Sequence, residues 1–401
     1  MSDNALRRPS DATMGILRTL IGFQTVSRNS NLDLIDWIGG YLAEHGIESH
    51  LSRGSDHGKA NLFATIGEGQ GGIVLSGHTD VVPVAGQSWS QDPFTLTERD
   101  GRLYGRGAAD MKGFVATCLA MVPEMARAKL VAPIHLALSY DEEVGCVGVR
   151  PLLDEINKLK VKPLACFVGE PTLMQVAIGH KGKHALRAIV RGEACHSSLA
   201  PEGVNAVEFA AELIVEIRRR ALQIAAGGAR DPLYDMPFTT LLSSVVQGGT
   251  ALNIVPDKCE LQFEARGLGV HESREVTDGI VAWVRSDLEP AMRRGHPDCG
   301  VDFEEMVEYP ALDMEASHPL ATFAKTLAGR NSHIKVSYGT EAGLFVAMAD
   351  IPSVVIGPGA IAQAHKPDEF VEIAELERCA EMIEKLIAQC AKADGLDALR
   401  R

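Results

Sequence analysis

Between Lys183 and Val307 the chain reads strand, helix, strand, strand, helix, strand, and this order stands inside a longer stretch of different rhythm. The segments are Lys183–Arg191, Asn205–Arg220, Thr239–Val246, Lys258–Arg266, Ser273–Arg293 and Val301–Val307, the β-α-β-β-α-β order of a ferredoxin-like α+β domain. On either side, short apolar runs alternate with helical patterns. Helices are predicted over Asp11–Val26 (Ser10 or Asp11 as N-cap), Leu32–His45 and Gly113–Ala128, and strands over Asn61–Ile66, Gly72–Ser76, Ile134–Tyr140 and Ala165–Val168. After Pro310 the alternation returns with a helix at Pro319–Ala328, a strand at Ser353–Ile356 and a helix at Ile373–Lys392. Such alternation predicts a doubly wound α/β sheet with helices on both faces. The expected architecture is therefore a sheet domain of residues 1–180 and 311–401, interrupted by a smaller domain at 181–310.

Charge and cysteine usage exclude several functions. A net charge of −14 with no dominant basic patch argues against nucleic acid or an anionic membrane as partner. The eight cysteines are scattered without a CxxC pair, so a reducing compartment fits better than a disulfide framework. Arg7-Arg8 is followed by Pro9, Ser10, Asp11 and Arg18, which interrupt any apolar export signal, and no run is long enough to span a membrane. A cytoplasmic protein is expected.

Acids and histidines concentrate at five places beside strand ends and glycine-rich turns. Leu75–Pro83 carries His78 and Asp80, which project to one face of an extended segment, so the carboxylate can orient the imidazole as a metal ligand. A surface pair in a turn is the plainer alternative. Tyr104–Gly113 carries Asp110 just before a helix, where it points into a site or caps the helix. Asp141-Glu142-Glu143 follows a buried strand; three adjacent carboxylates there are solvated, protonated or bound to cations. Glu170 follows the strand containing Phe167, and His365 lies in Gln363–Glu369 after Gly357-Pro358-Gly359. Each is weak alone. Together they supply one aspartate to bridge two divalent ions, a glutamate and a histidine for each, and one spare glutamate for protons.

In order and spacing, Gly77–Val82, Gly105–Gly113, Asp141–Gly145, Gly169–Pro171 and Gln363–Asp368 resemble the metal-site motifs of the M20 metallopeptidases. That family includes acetylornithine deacetylase, succinyl-diaminopimelate desuccinylase, aminoacylase and glutamate carboxypeptidase. The resemblance implies a dinuclear catalytic domain with an inserted dimerisation (lid) domain. It implies that His78 and Glu170 bind one ion, Glu143 and His365 the other, and that Asp110 bridges them. Zinc is the default metal, and cobalt or manganese suits the same donors. Asp80 would support His78, and Glu142 would be general base and acid; sequence chemistry alone does not separate Glu142 from Glu143.

In Gly192–Ser198, His196 resembles the family histidine that reaches the other subunit's active site in a homodimer. Histidines outside these motifs, including His45, His57, His180 and His296, read as structural or surface residues. Asn253, Arg266 and Gly359 resemble substrate-facing positions. Gly339-Thr340-Glu341-Ala342 resembles the acetylornithine deacetylases; Glu341 would pair with a substrate ammonium or serve as a structural loop acid. The Gly357–His365 run points the same way, except that Ala362 falls where that group commonly has Asn. The implied reaction is deacetylation of N-acetyl-L-ornithine to L-ornithine and acetate in arginine biosynthesis, or hydrolysis of a related N-acyl amino acid or dipeptide. A binding protein that kept the fold would lack a ligand or the base, and here all are present.

Overall fold

The computed structural model describes residues 11–54 and 58–400; Arg7, Arg8, Ser10 and His57 lie outside the described residues. The chain divides into two compact units. The larger comprises residues 1–179, 314–335 and 340–401, the smaller 180–313 and 336–339. The short segment 336–339 belongs to the small unit, which the expected 181–310 span did not include.

The large unit is built on a mixed sheet with strands in the order Ser49–Arg53, Ala60–Ile66, Ile134–Ser139, Ile73–His78, Ala165–Val168, Ser353–Val355 and Val176–His180. Ile134–Ser139, Ile73–His78, Ala165–Val168 and Ser353–Val355 run parallel. They are buried at every position, as strands covered on both faces must be, and so read as continuous apolar runs. One helix group (Asp11–Gly22, Lys112–Ala120, Ile373–Cys390) packs together, with Lys112–Ala120 against Ile73–His78; a second (Val149–Ile156, Ala342–Ala349) packs on other strands. Register decides where the chemistry falls. His78 pairs with Ser139, Ser76 with Val168, and Val355 with Val168. The segments carrying His78, Glu142, Glu170 and His365 therefore leave from one carboxyl edge, where open α/β sheets place their ligands.

The small unit pairs its strands in the order Thr240–Gly248, Lys258–Gly267, Gly182–Arg191, Gly300–Tyr309, antiparallel throughout. This is the ferredoxin-like arrangement, with Ala206–Gly227 and Glu272–Trp283 packed against the sheet.

Four predicted helices differ, one of them Asn205–Arg220, which runs on to Gly227. The N-terminal helix stops at Gly22 and contains Asp11 within its first turn rather than at its cap. Gly113–Ala128 is two helices, Lys112–Ala120 and Val122–Arg127, with Pro123 opening the second. Ser273–Arg293 is interrupted by a wide turn at Val284–Leu288, where Glu289 N–H reaches back to Val284 O just before Pro290, which has no N–H to give. Among the described residues, no helix is long and apolar enough to cross a membrane.

His180, at the end of Val176–His180, is completely buried, and its Nδ1–H donates to Lys181 O at 3.1 Å. Burial lowers its pKa to about 4, the Lys181 bond opposing only part of the shift. Because the folded value lies below the unfolded one, stability is full above about pH 6.5 and is lost as pH falls towards 4, by at most about 3 kcal/mol. Urea unfolding at pH 7 and pH 5 is expected to show a loss about 2 kcal/mol smaller in His180→Gln than in the parent. Equal losses would remove His180 as the cause.

Candidate metal centre and active site

Two donor sets meet at Asp110. His78 is 1% exposed, and its Nδ1–H donates to the carbonyl oxygen of Asp80 at 2.9 Å. That bond orients the ring, so Nε2 is the nitrogen that faces Asp110 Oδ1 at 3.0 Å and Glu170 Oε1 at 3.6 Å and is the one free to ligate an ion. The other oxygen of Asp110 lies 3.4 Å from His365 Nε2, which is 2.9 Å from Glu143 Oε2. His78–Asp110–Glu170 and Asp110–Glu143–His365 each bring their ligand atoms close enough to hold one ion, and Asp110 belongs to both.

The Asp110 turn is fixed from a distance. Glu369 Oε1 accepts from the Ala109 and Asp110 N–H groups at 2.9 and 3.1 Å, while its Oε2 is 2.5 Å from Arg106 in a buried ion pair. Arg106 also bonds Gln87, whose side-chain amide donates to His365 O at 3.1 Å. One network thus holds the bridging aspartate and the His365 loop.

Glu142 belongs to neither donor set. Its N–H donates to Asp80 Oδ1 at 3.1 Å, the Glu143 N–H to Asp80 Oδ2 at 3.3 Å, and Ser27 donates to Oδ2 at 2.7 Å. Asp80 therefore does more than support His78, to which its carboxylate stands 3.5 Å away: it holds the base-bearing turn. Lys59 Nζ reaches Asp141, which itself has φ +53°, at 2.6 Å. The Cys146 thiol donates to Glu142 Oε1 at 3.3 Å.

The electrostatics call for cations. Burial pushes Glu142 and Glu170 well above the ordinary carboxylate range, and neighbouring carboxylates add to it. Burial and the Asp110 charge raise Glu143 to about 7 despite His365. Burial would also raise Asp110, but bonds from His365 and His78 together outweigh it and hold it low. Hydrogen bonds to Asp110 and Glu143 raise His365 to about 10. Carboxylates crowded around His78 and His365 leave negative charge that divalent ions neutralise, and mixed oxygen and imidazole donors suit such ions.

The remaining expected site residues fall as follows. In the small unit, exposed His196 accepts the Ser198 N–H on Nδ1 at 3.2 Å, which leaves Nε2–H as a free-facing donor. Asn253 lies in an exposed turn whose carbonyl accepts the Ser197 N–H at 3.0 Å, and Arg266 donates to Glu264 at 2.8 Å. Two further positions, Glu341 and Gly359, are buried. Glu341 is 1% exposed and turns its carboxylate onto Ser139 at 2.5 Å and Ser76 at 3.4 Å, not towards an open surface. Gly359 spends its N–H on Glu375 (2.7 Å) and its carbonyl on the Leu173 N–H (2.7 Å). With φ +89° and room for a Cβ only 2.9 Å from Ala109 Cβ, it is a glycine because it packs on the Asp110 turn. Sequence reasoning gave no role to Ser27, Lys59, Arg106, Cys146 and Glu369; Arg106 and Glu369 lie within segments it singled out and Cys146 adjoins one, whereas Ser27 and Lys59 carried no signal.

A histidine- and carboxylate-lined centre, buried around His78 and open at His365, with an uncommitted glutamate at the carboxyl edge of a doubly wound sheet, defines a metal-dependent hydrolase. Residues 74–389 match peptidase family M20/M25/M40. The chain belongs to this family. It is 32% identical over 382 residues to an acetylornithine deacetylase of Pectobacterium carotovorum, covering 93% of this chain and 96% of the relative. It is 34% identical over 390 residues to one of Yersinia pestis, with coverage of 93% and 96%. Among solved structures, aminopeptidase PepT from Bacillus cereus is similar with TM-score 0.73 and 20% identity, over 95% of this chain and 99% of that one. A dinuclear metal binding peptidase of the M20 family from Bacillus subtilis gives TM-score 0.66 and 16% identity over 94% and 96%. At these identities the structures speak for the fold.

Proposed function

We propose that the chain removes the acetyl group from N-acetyl-L-ornithine, giving L-ornithine and acetate, with two divalent ions held by the two donor sets. The observation that carries this reading is Asp110, whose oxygens face a complete Glu–His set on either side while Glu142 stays uncommitted. Identity to acetylornithine deacetylases over 93% of the chain supports the substrate. Zinc is the default ion, with cobalt or manganese compatible. Such ions supply Lewis acidity, polarising an amide carbonyl and making water nucleophilic near neutral pH. Glu142, with its proton affinity raised by burial, takes the proton of the attacking water and delivers it to the departing amine nitrogen. By the family resemblance, the Nε2–H of His196 donates to the tetrahedral oxyanion in the active site of the other subunit of a homodimer.

A homodimer through the small unit belongs to this proposal. Edge strand Thr240–Gly248 exposes Leu242, Val245 and Val246, and helix Ala206–Gly227 exposes Val215 and Leu222. An apolar edge of this kind is a template for pairing with a second copy. A fully active monomer by light scattering would contradict the role given to His196. The eight unpaired cysteines are in keeping with a reducing, cytoplasmic setting.

The enclosure of Glu341 favours one second reading, a deacylase of other N-acyl amino acids, because the carboxylate expected to meet the ornithine ammonium is turned inward. Metal-free enzyme assayed with N-acetyl and N-succinyl amino acids, before and after zinc or cobalt, decides between them. Preference for acetylornithine that depends on metal is expected. A different winner would discard the pathway, and no hydrolysis with any of them would discard the substrate class.

A further inference from the structure

Glu341 sits at the residue before helix Ala342–Ala349, far in sequence from the strands it touches, and among the described residues no ion pair compensates it. Burying a carboxylate without a cation is costly, so its retention calls for a reason. Its Oε1 accepts from the Ser139 hydroxyl at 2.5 Å and its Oε2 faces the Ser76 hydroxyl at 3.4 Å. These serines lie on neighbouring parallel strands, two positions apart in register: His78 is opposite Ser139, and Ser76 is opposite Ala137. Ser139 ends the strand that leads into Asp141–Glu143, and Ser76 stands two residues before His78.

We propose that Glu341 is a positioning residue: by joining Ser139 to Ser76 it sets the spacing between the strand end that presents His78 and the one that presents Glu142 and Glu143. The inference rests on the hydrolytic reading of that centre. It takes Glu341 away from the substrate and gives it the geometry of the reacting groups. Misplacing such groups by about 1 Å lowers a rate on the order of 10²-fold. Positioning predicts a loss in kcat that is the same for every substrate, whereas contact with a substrate ammonium predicts a rise in KM for substrates that carry one.

The test uses E341A, E341Q and S139A beside the parent, on N-acetyl-L-ornithine and on N-acetyl-L-norleucine, which lacks the ammonium. For E341A and S139A, kcat is expected to fall by the same factor, between about 10- and 100-fold, on both substrates with KM unchanged. E341Q is expected to recover most of the rate, because its amide oxygen still accepts from Ser139. Cobalt-loaded E341A and S139A are expected to show an altered visible absorption spectrum while E341Q matches the parent. A KM rise confined to acetylornithine, or parental kinetics in E341A, would overturn the proposal. If the parent hydrolyses neither substrate, the functional reading fails, and the cobalt spectra still decide this one: an unchanged spectrum in E341A rejects it.

Discussion

Replacing Glu142 by glutamine is expected to lower kcat by about 10²–10⁴-fold while leaving KM and metal content near the parental values. Glutamine keeps the size of the side chain, the backbone N–H bond to Asp80 and an oxygen to accept the Cys146 thiol. What it loses is the ability to take and return a proton. Neither donor set includes Glu142, so both ions have their full complement of ligands in the variant. Glu143→Gln is the control one residue away. Glu143 faces His365 at 2.9 Å within the second donor set, so this change is expected to weaken one ion, with activity partly recovered in excess metal. Metal analysis and steady-state kinetics on both variants separate the adjacent acids. Loss of metal in the Glu142 variant would make that residue a ligand and remove it as the base.

Sequence alone could not have divided these two roles, and the reason is physical. Local patterns report what a residue does within a few positions of itself. Pro319–Ala328 is helical over its predicted span because an N-terminal proline, an apolar stripe and Gly329 are all local. The motif residues were legible because each follows an apolar run, and a parallel strand delivers whatever follows it to the same edge. Contacts that arrange the motifs join distant positions. Asp80 receives the Glu142 N–H across 62 residues, Lys59 reaches Asp141 across 82, and Glu369 holds the Ala109 N–H across 260. No local pattern marks Lys59 or Cys146 as part of a site. The two roles open to Glu341 could not be separated for the same reason: its partners are Ser76 and Ser139, which no periodicity near residue 341 can indicate.

Exchange of Asp110 for alanine is expected to weaken both ions at once, by more than the ten- to hundredfold loss typical of removing an orienting partner, and to abolish activity with them. The turn itself should persist, because Glu369 grips it through the Ala109 and Asp110 N–H groups, which alanine retains. His78→Ala, by contrast, removes a donor from one set alone. The pH dependence adds an independent sign. In the parent, hydrogen bonds to Asp110 and Glu143 raise His365 to about 10, so an ion entering at neutral pH must displace its proton. Glu143, raised to about 7 by burial and by Asp110, takes up a second proton as pH falls below that value. Metal affinity should therefore climb with pH and fall most steeply below pH 7. In Asp110→Ala the largest cause raising His365 is gone, and so is a charge raising Glu143. The residual affinity should depend less on pH. Titration with zinc by calorimetry at pH 6, 7 and 8 reads both the number of ions and this slope. One ion retained at parental affinity would mean that the two donor sets do not share Asp110, and the bridged arrangement would have to be abandoned.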